Sequence, residues 1–371
     1  MKKTFNSLLW ILLLSGFVSL QAADYTQGDW KLSVNSNGTV NIYKGSKLLI
    51  ANSQCSFKIG STTYQQDQLS NVTVNESTNS DAFGSGKRIA ITSKTSNNYT
   101  ITHNYYLYNN YVLTDFTIAG SQFESNYMAP VKTSTAANFL SGNNNKALRV
   151  PFDNDKWVGY VANPFGTNTT SYEVGAFYNA DTNEGLVIGS IEHILWKTGV
   201  RSTSNGSSLN SLEVFGGITT TSGENGDTRD KIAHGAVKGT SVKSPKIYIG
   251  YSNDWRAGLE NYGDVNAMFK PKLSWNAPKP FLWNSWGVLQ TGLNFSKAKE
   301  VSDWIKNNLQ NNSFHDKNDV VYIDLDSYWD NLQGDQLEYF TTYCQNSNQR
   351  AGIYWGPFAD WGKDGNRTVE G

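Results

Sequence analysis

From Asp24 to about Leu273 the apolar residues fall in short alternating runs, separated by turns rich in Asn, Gly and Ser. Val40, Ile42 and residues 48–50 flank Lys44-Gly45, which predicts a hairpin. Residues 87–92 alternate at the period of a half-buried strand. Residues 101–108 and 111–118 flank Asn109-Asn110, a pair suited to a tight turn because Asn tolerates left-handed backbone. Residues 185–191, 212–215 and 247–251 continue the series, and only residues 254–262 read as a short helix. Many strands and turns without long helices predict stacked antiparallel sheets, a large β-sandwich of the supersandwich kind.

After Met268 the pattern changes. Pro271, Pro278 and Pro280 mark a stiff connector, and strands then alternate with helices. Residues 281–286 read as a strand. Ser296 can cap a helix reaching Leu309, with Ala298, Val301, Ile305 and Leu309 on one face. Residues 320–325 form an apolar strand broken only by Asp324. Asp335 and Glu338 resemble a capping box opening a second helix, on which Leu337, Phe340 and Cys344 share a face. Residues 351–355 make a third strand. Strand, helix, strand, helix, strand implies parallel strands joined by crossovers.

Parallel sheets need helices on both faces or closure into a barrel. The expected fold class is therefore multidomain, β followed by α/β. A β-sandwich over residues 23–273 precedes the first strands of a truncated (β/α)8 TIM barrel over residues 274–371. A small doubly wound domain is the alternative, though the Gly-rich turn of nucleotide-binding versions is missing after the first strand.

The amino terminus reads as a secretory signal over residues 1–22. Lys2 and Lys3 precede an apolar stretch from Leu8 to Val18, and Ala22 and Ala23 close it. That stretch is shorter than the roughly 20 residues a membrane span needs. A retained amphipathic anchor is the alternative. The expected location is secreted or periplasmic, with no membrane association beyond export.

A net charge of -1 gives no broad basic field for nucleic acid. The two cysteines, Cys55 and Cys344, are far apart and are expected as buried thiols. His103, His193, His234 and His315 show no ligand spacing, so neither metal nor cofactor is expected. Aromatic residues make up 13% of the chain, with 12 Trp and 20 Tyr. Such rings stack on the C–H face of a sugar while their polar tips stay wet, although large β-sheets also use aromatics in their cores.

In a barrel of parallel strands the chemistry collects at the C-terminal ends. The first strand ends in Trp283-Asn284-Ser285-Trp286. The second ends in Asp324-Leu325-Asp326-Ser327-Tyr328-Trp329, and the third in Gly352-Ile353-Tyr354-Trp355, followed by Asp360 and Trp361. Carboxylates beside indoles suit a pyranose, since Asp accepts from two hydroxyls while Trp covers the apolar face. Each residue also has a plain packing role open to it. Trp283 could be core, one of Asp324 and Asp326 could cap a helix, and Asp330 and Asp335 suit solvated or capping positions. In the sandwich, Pro151-Phe152-Asp153-Asn154-Asp155-Lys156-Trp157 places two carboxylates and an indole in a loop. Asp153 and Asp155 are candidates for a pocket or for an Asx-type turn.

The Trp-Asn-Ser-Trp, Leu-Asp-x-x-Trp and Gly-Ile-Tyr motifs resemble the opening of the α-galactosidase barrel in glycoside hydrolase families 27 and 36. A sandwich before the barrel favours the family 36 type, which includes raffinose-synthase-like enzymes. The resemblance implies that Trp286 lines the sugar pocket, that Asp326 holds sugar hydroxyls, and that Trp329 and Tyr354 are pocket residues. Trp355 adjoins them. The family's second adjacent aspartate is replaced by Ser327, a departure that Asp324 could compensate from two residues earlier.

The implied reaction is retaining hydrolysis of terminal α-glycosidic bonds in oligo- or polysaccharides, using two carboxylates about 5 Å apart. In the resembled families these follow strands four and six, so no catalytic residue is assigned here. A non-catalytic exported sugar-binding protein and a transglycosidase of raffinose-synthase type are the alternatives.

Overall fold

The computed structural model describes residues 22–151, 159–219 and 233–355. The chain divides into two compact units, Met1–Lys272 and Leu273–Gly371. Residues 1–21, nearly all of the expected secretory signal over residues 1–22, lie outside the described residues, and so do Asp153, Asp155, Asp360 and Trp361.

Among the described residues, the first unit is built mostly from two antiparallel sheets. The nine-stranded sheet runs Ala23–Gln27, Trp30–Val34, Val40–Lys44, Lys47–Ile59, Met128–Thr133, Ser208–Gly216, Thr198–Asn205 and Thr169–Tyr172. Thr62–Gln65 joins it beside Lys47–Ile59. The ten-stranded sheet runs Val161–Pro164, Asn145–Arg149, Val174–Asn179, Gly185–Ser190, Ile247–Ser252, Val112–Ser125, Thr100–Leu107, Gly84–Lys94 and Ser70–Asp81. Val237–Lys243 joins it beside Val112–Ser125. Around Asn109-Asn110 the chain reverses tightly, and the Tyr108 N–H donates to the Tyr111 carbonyl at 3.0 Å.

Alternation drives the packing, because every second side chain of a strand reaches the same face. Trp30, Leu32 and Ile42 from one sheet meet Ile89, Tyr105 and Ile188 from the other in one buried core. A second cluster continues it, with the Phe57 and Phe116 rings 5.6 Å apart across the sheets. The two sheets are also tied by polar groups. The Glu184 carboxylate, beside Gly185–Ser190, pairs with Lys47 of the nine-stranded sheet and accepts from the Tyr251 hydroxyl at 2.6 Å.

The expected short helix over 254–262 is longer, Trp255–Phe269. Asp254 caps it, its carboxylate accepting from the Arg256 N–H at 3.0 Å. Gly263 is a weak helix former, but the apolar stripe continues past it to buried Val265. Trp255, Leu259, Tyr262 and Val265 cover the outer face of the ten-stranded sheet, where Trp255 stacks on Tyr178 at 4.2 Å. Close approach depends on Gly258, where a Cβ would lie 3.0 Å from Val187 Cγ2.

The second unit holds a three-stranded parallel sheet, Leu282–Asn284, Val321–Leu325 and Gln349–Ile353. Helices Phe295–Asn308 and Gln336–Asn346 connect the strands. Val321, Ile323 and Leu325 form one core with Ala298, Ile305, Phe340 and Cys344. Both cysteines are buried free thiols in separate units.

Local corrections follow from the hydrogen bonds. Asn294 rather than Ser296 caps the first of these helices, accepting from the Lys297 N–H at 3.1 Å. Asp335 precedes the second helix but makes no side-chain cap, so no capping box forms. The first strand is only Leu282–Asn284, which leaves Trp286 beyond its end.

Candidate functional site at the strand ends

Parallel register sorts the second unit's residues between two faces. Trp283, Ile323 and Ala351 are register partners on the helix-covered face, and Trp283 packs there as part of the core. Asn284, Asp324 and Gly352 are register partners on the opposite face. Asp326, just past the end of the strand Val321–Leu325, turns its carboxylate to the Asn284 amide.

Asn284 organises the two carboxylates. Its Nδ2 donates to Asp324 Oδ2 at 2.7 Å and to Asp326 Oδ2 at 2.9 Å. Its Oδ1 accepts from the Trp286 N–H at 2.9 Å, which fixes the chain leading to the indole. Buried Ser285 adds a backbone anchor. Its N–H donates to the Asp324 carbonyl at 3.0 Å, and its Oγ accepts from the Asp326 N–H at 2.9 Å. Asp326 Oδ1 accepts from the Ser327 N–H at 2.6 Å. Both acids are half-buried. Two like charges sharing donors in this way form a hydrogen-bond acceptor site that is already oriented.

The aromatic residues stand around these strand ends. Trp286 and Tyr328 lie parallel, with ring centroids 6.3 Å apart and a 5° interplanar angle. Trp286 is 43% exposed, so much of its surface stays open to a ligand. Trp329 and Trp355 form a tilted pair at 6.3 Å, Trp329 being partly packed on the unit's core. The Tyr354 N–H donates to the Leu325 carbonyl at 2.8 Å, placing its half-exposed side chain just past the third strand. Tyr328 has φ +70, a left-handed conformation that costs a bulky residue of order 1–3 kcal/mol. Such strain persists where neighbours over-determine it. Here a tight turn follows, in which the Trp329 N–H donates to the Asp326 carbonyl at 3.1 Å.

Six of the residues singled out in the sequence therefore gather at three adjacent strand ends: Trp286, Asp324, Asp326, Trp329, Tyr354 and Trp355. Asp330 and Asp335 are exposed. Asn284 and Ser285 were visible only as parts of a motif. Their roles depend on parallel register, which brings residues 40 positions apart side by side.

No family model and no curated protein matches the chain. Among solved structures, a β-arabinopyranosidase is similar with a TM-score of 0.57 at 11% identity, over 92% of this chain and 55% of that one. A glycoside hydrolase family 97 enzyme from Pseudoalteromonas sp. strain K8, solved with panose and with acarbose, gives TM-scores of 0.56 and 0.55 at 12% identity. Those matches cover 89% of this chain and 53% of the enzyme. The chain thus spans about half the length of these structures. The likeness is one of fold.

Proposed function

We propose that this chain is the N-terminal part of an exported glycoside hydrolase that acts on terminal α-glycosidic bonds of oligo- or polysaccharides. On this reading, residues 23–273 form its sandwich domain, and the sheet after residue 274 opens a (β/α)8 barrel. The strand-end cluster is the sugar-binding floor of that barrel. The carrying observation is the single Asn284 amide that donates to both Asp324 and Asp326 beside the exposed Trp286 indole.

The chemistry follows from the donors and acceptors. Two carboxylates held side by side accept from neighbouring sugar hydroxyls, while an indole covers the ring's C–H face. Asp324 occupies the role that a second adjacent aspartate has in the resembled α-galactosidases, because Ser327 has no charge to offer. The carboxylates that attack and protonate belong, on the same resemblance, to later barrel strands. Asp324 and Asp326 are binding residues in this reading. The solved family 97 enzyme with bound panose and acarbose supports an oligosaccharide as the class of ligand.

The test is calorimetric titration of the mature chain with methyl α-galactoside and methyl α-glucoside. Asp326→Ala should weaken binding by at least about 2 kcal/mol, roughly thirtyfold, by leaving sugar hydroxyls unpaired in a desolvated site. Ser327→Asp should shift preference toward the galactoside. Unchanged affinity in both folded variants removes Asp326 from the site.

A further inference from the structure

The first unit carries a cleft of about 800 Å³ whose lining residues are polar save for Val161 and Leu212. Its floor is a row of register partners on neighbouring strands: Thr170 opposite Arg201, Arg201 opposite Glu213, and Glu213 opposite Lys132. Register partners project to the same face, so these four side chains stand side by side. One wall is the hairpin of Asn145–Arg149 and Val161–Pro164, which supplies Arg149 and Asn163. That hairpin is pinned to the edge strand by the Val150 N–H, donating to Ser171 Oγ at 2.7 Å, and by the Tyr172 N–H, donating to the Val150 carbonyl at 2.9 Å.

Among the described residues lining this cleft, the cations outnumber the carboxylates. Lys132, Arg149 and Arg201 face one carboxylate, Glu213. Glu213 is already engaged by Arg201 at 3.3 Å, by Lys132 at 3.5 Å and by the Tyr127 hydroxyl at 2.5 Å. Arg149 has no carboxylate partner among the described residues. Its Nη2 donates to the Gly159 carbonyl at 3.3 Å, and its buried Nε has no acceptor among the described residues. A guanidinium fork with unused donors matches a planar or tetrahedral oxyanion. Beside it, Thr170, Asn163 and Thr203 offer hydroxyl and amide groups. No aromatic side chain is among the described residues lining the cleft, so recognition there rests on polar groups. The volume lies in the range of small-ligand sites.

We propose that this cleft binds an anionic saccharide, its carboxylate or sulfate on Arg149 and its hydroxyls on the Thr170–Arg201 side. The proposal goes beyond the strand-end site; its anion rests on Arg149, and its saccharide class rests on the reading of the chain as part of a glycoside hydrolase. The two sites also differ in sign, since Asp324 and Asp326 would repel the acidic group that Arg149 attracts.

The test titrates the full mature chain with trigalacturonate, with a sulfated galactotriose and with neutral galactotriose. At least one acidic trisaccharide should bind ten times more tightly than the neutral one, and the one that does so identifies the anion. Its affinity should fall as salt is raised. Arg149→Gln should weaken it at least tenfold. Thr170→Glu, a change on the solvent side of an edge strand, should do the same with an unchanged circular dichroism spectrum, and it decides the matter if Arg149→Gln does not fold. Asp326→Ala should leave this affinity untouched, which separates the cleft from the strand ends. Equal binding of acidic and neutral sugars, or wild-type affinity in folded Thr170→Glu, overturns the proposal.

Discussion

Gly352 is the register partner of Asp324, and a Cβ on Gly352 would come within 2.7 Å of Asp324 Oδ1. The missing side chain is what lets the carboxylate lie over the third strand while its other oxygen accepts from Asn284. Backbone and acid are thus fitted to one another at the centre of the proposed sugar site.

Gly352→Ala should therefore displace the Asp324 carboxylate and break its bond to Asn284. Affinity for the strand-end sugar is expected to fall at least about tenfold, the order of one lost charge-assisted hydrogen bond. Titration of the folded variant checks it, with thermal melting to confirm that the unit is intact. Wild-type affinity would show that Asp324 does not contact the sugar.

Glu184 predicts an acid limit to stability. Burial alone would raise its pKa, but hydrogen bonds from Lys47, Tyr251 and Ser141 outweigh it and hold the carboxyl at about 2. A depressed folded-state value contributes stability above the unfolded value near 4.5, and that stability is lost as pH falls toward about 2. Allowing for solvent screening, the contribution is about 1–2 kcal/mol. Glu184→Gln should lower the melting temperature at pH 7 and flatten its fall between pH 5 and about 2. Because Lys47 and Tyr251 belong to different sheets, the change should also speed exchange of amides along both strands.

His193 predicts the opposite slope. Its pKa is raised, first by the hydrogen bond with Glu173, and Asn266 and Glu192 add to this while burial opposes it. The ring nitrogens lie 2.8 Å from Glu173 Oε2 and 2.7 Å from Asn266 Oδ1, both acceptors, so the doubly protonated ring satisfies both. A raised value gives stabilisation that is complete below about 6.5 and lost as pH rises through the folded value. Asn266 lies on helix Trp255–Phe269, so alkaline conditions should loosen that helix from the sheet. His193→Gln should remove this part of the pH dependence. Proton NMR of the imidazole, followed against pH, measures the pKa directly.

The strands were legible where alternation and turn residues agreed, as on either side of Asn109-Asn110. Helix ends were less so, because caps are decided by single hydrogen bonds. Asn294, not Ser296, reaches a free N–H, and Val265 carries a helix past the glycine that should have weakened it. At the strand ends, the sequence showed which residue types were present but not which faces they shared. Asp324 and Asp326 were recognisable as a pair by their spacing. Asn284 was not, because its role depends on a neighbour 40 residues away. The cleft around Arg149 was invisible for the same reason: Lys132, Arg149, Arg201 and Glu213 have no local spacing in common, and only the register of the sheet lines them up.

The last prediction concerns turnover. Retaining hydrolysis needs one carboxylate to attack the anomeric carbon and another to protonate the leaving oxygen, from positions across the scissile bond. Asp324 lies on the strand Val321–Leu325 and Asp326 just past its end, and the two converge on a single Asn284 nitrogen at 2.7 and 2.9 Å. Two acids that meet at one amide nitrogen are suited to holding hydroxyls, not to flanking a bond. Residues 23–371, purified away from host glycosidases, should therefore bind sugar but show no turnover of aryl α-galactoside or α-glucoside. The assay should include Asp324→Asn and Asp326→Asn, both expected to match the unmutated background. Turnover that copurifies with the chain and disappears in Asp326→Asn would overturn the binding assignment, because it would make Asp326 the attacking group.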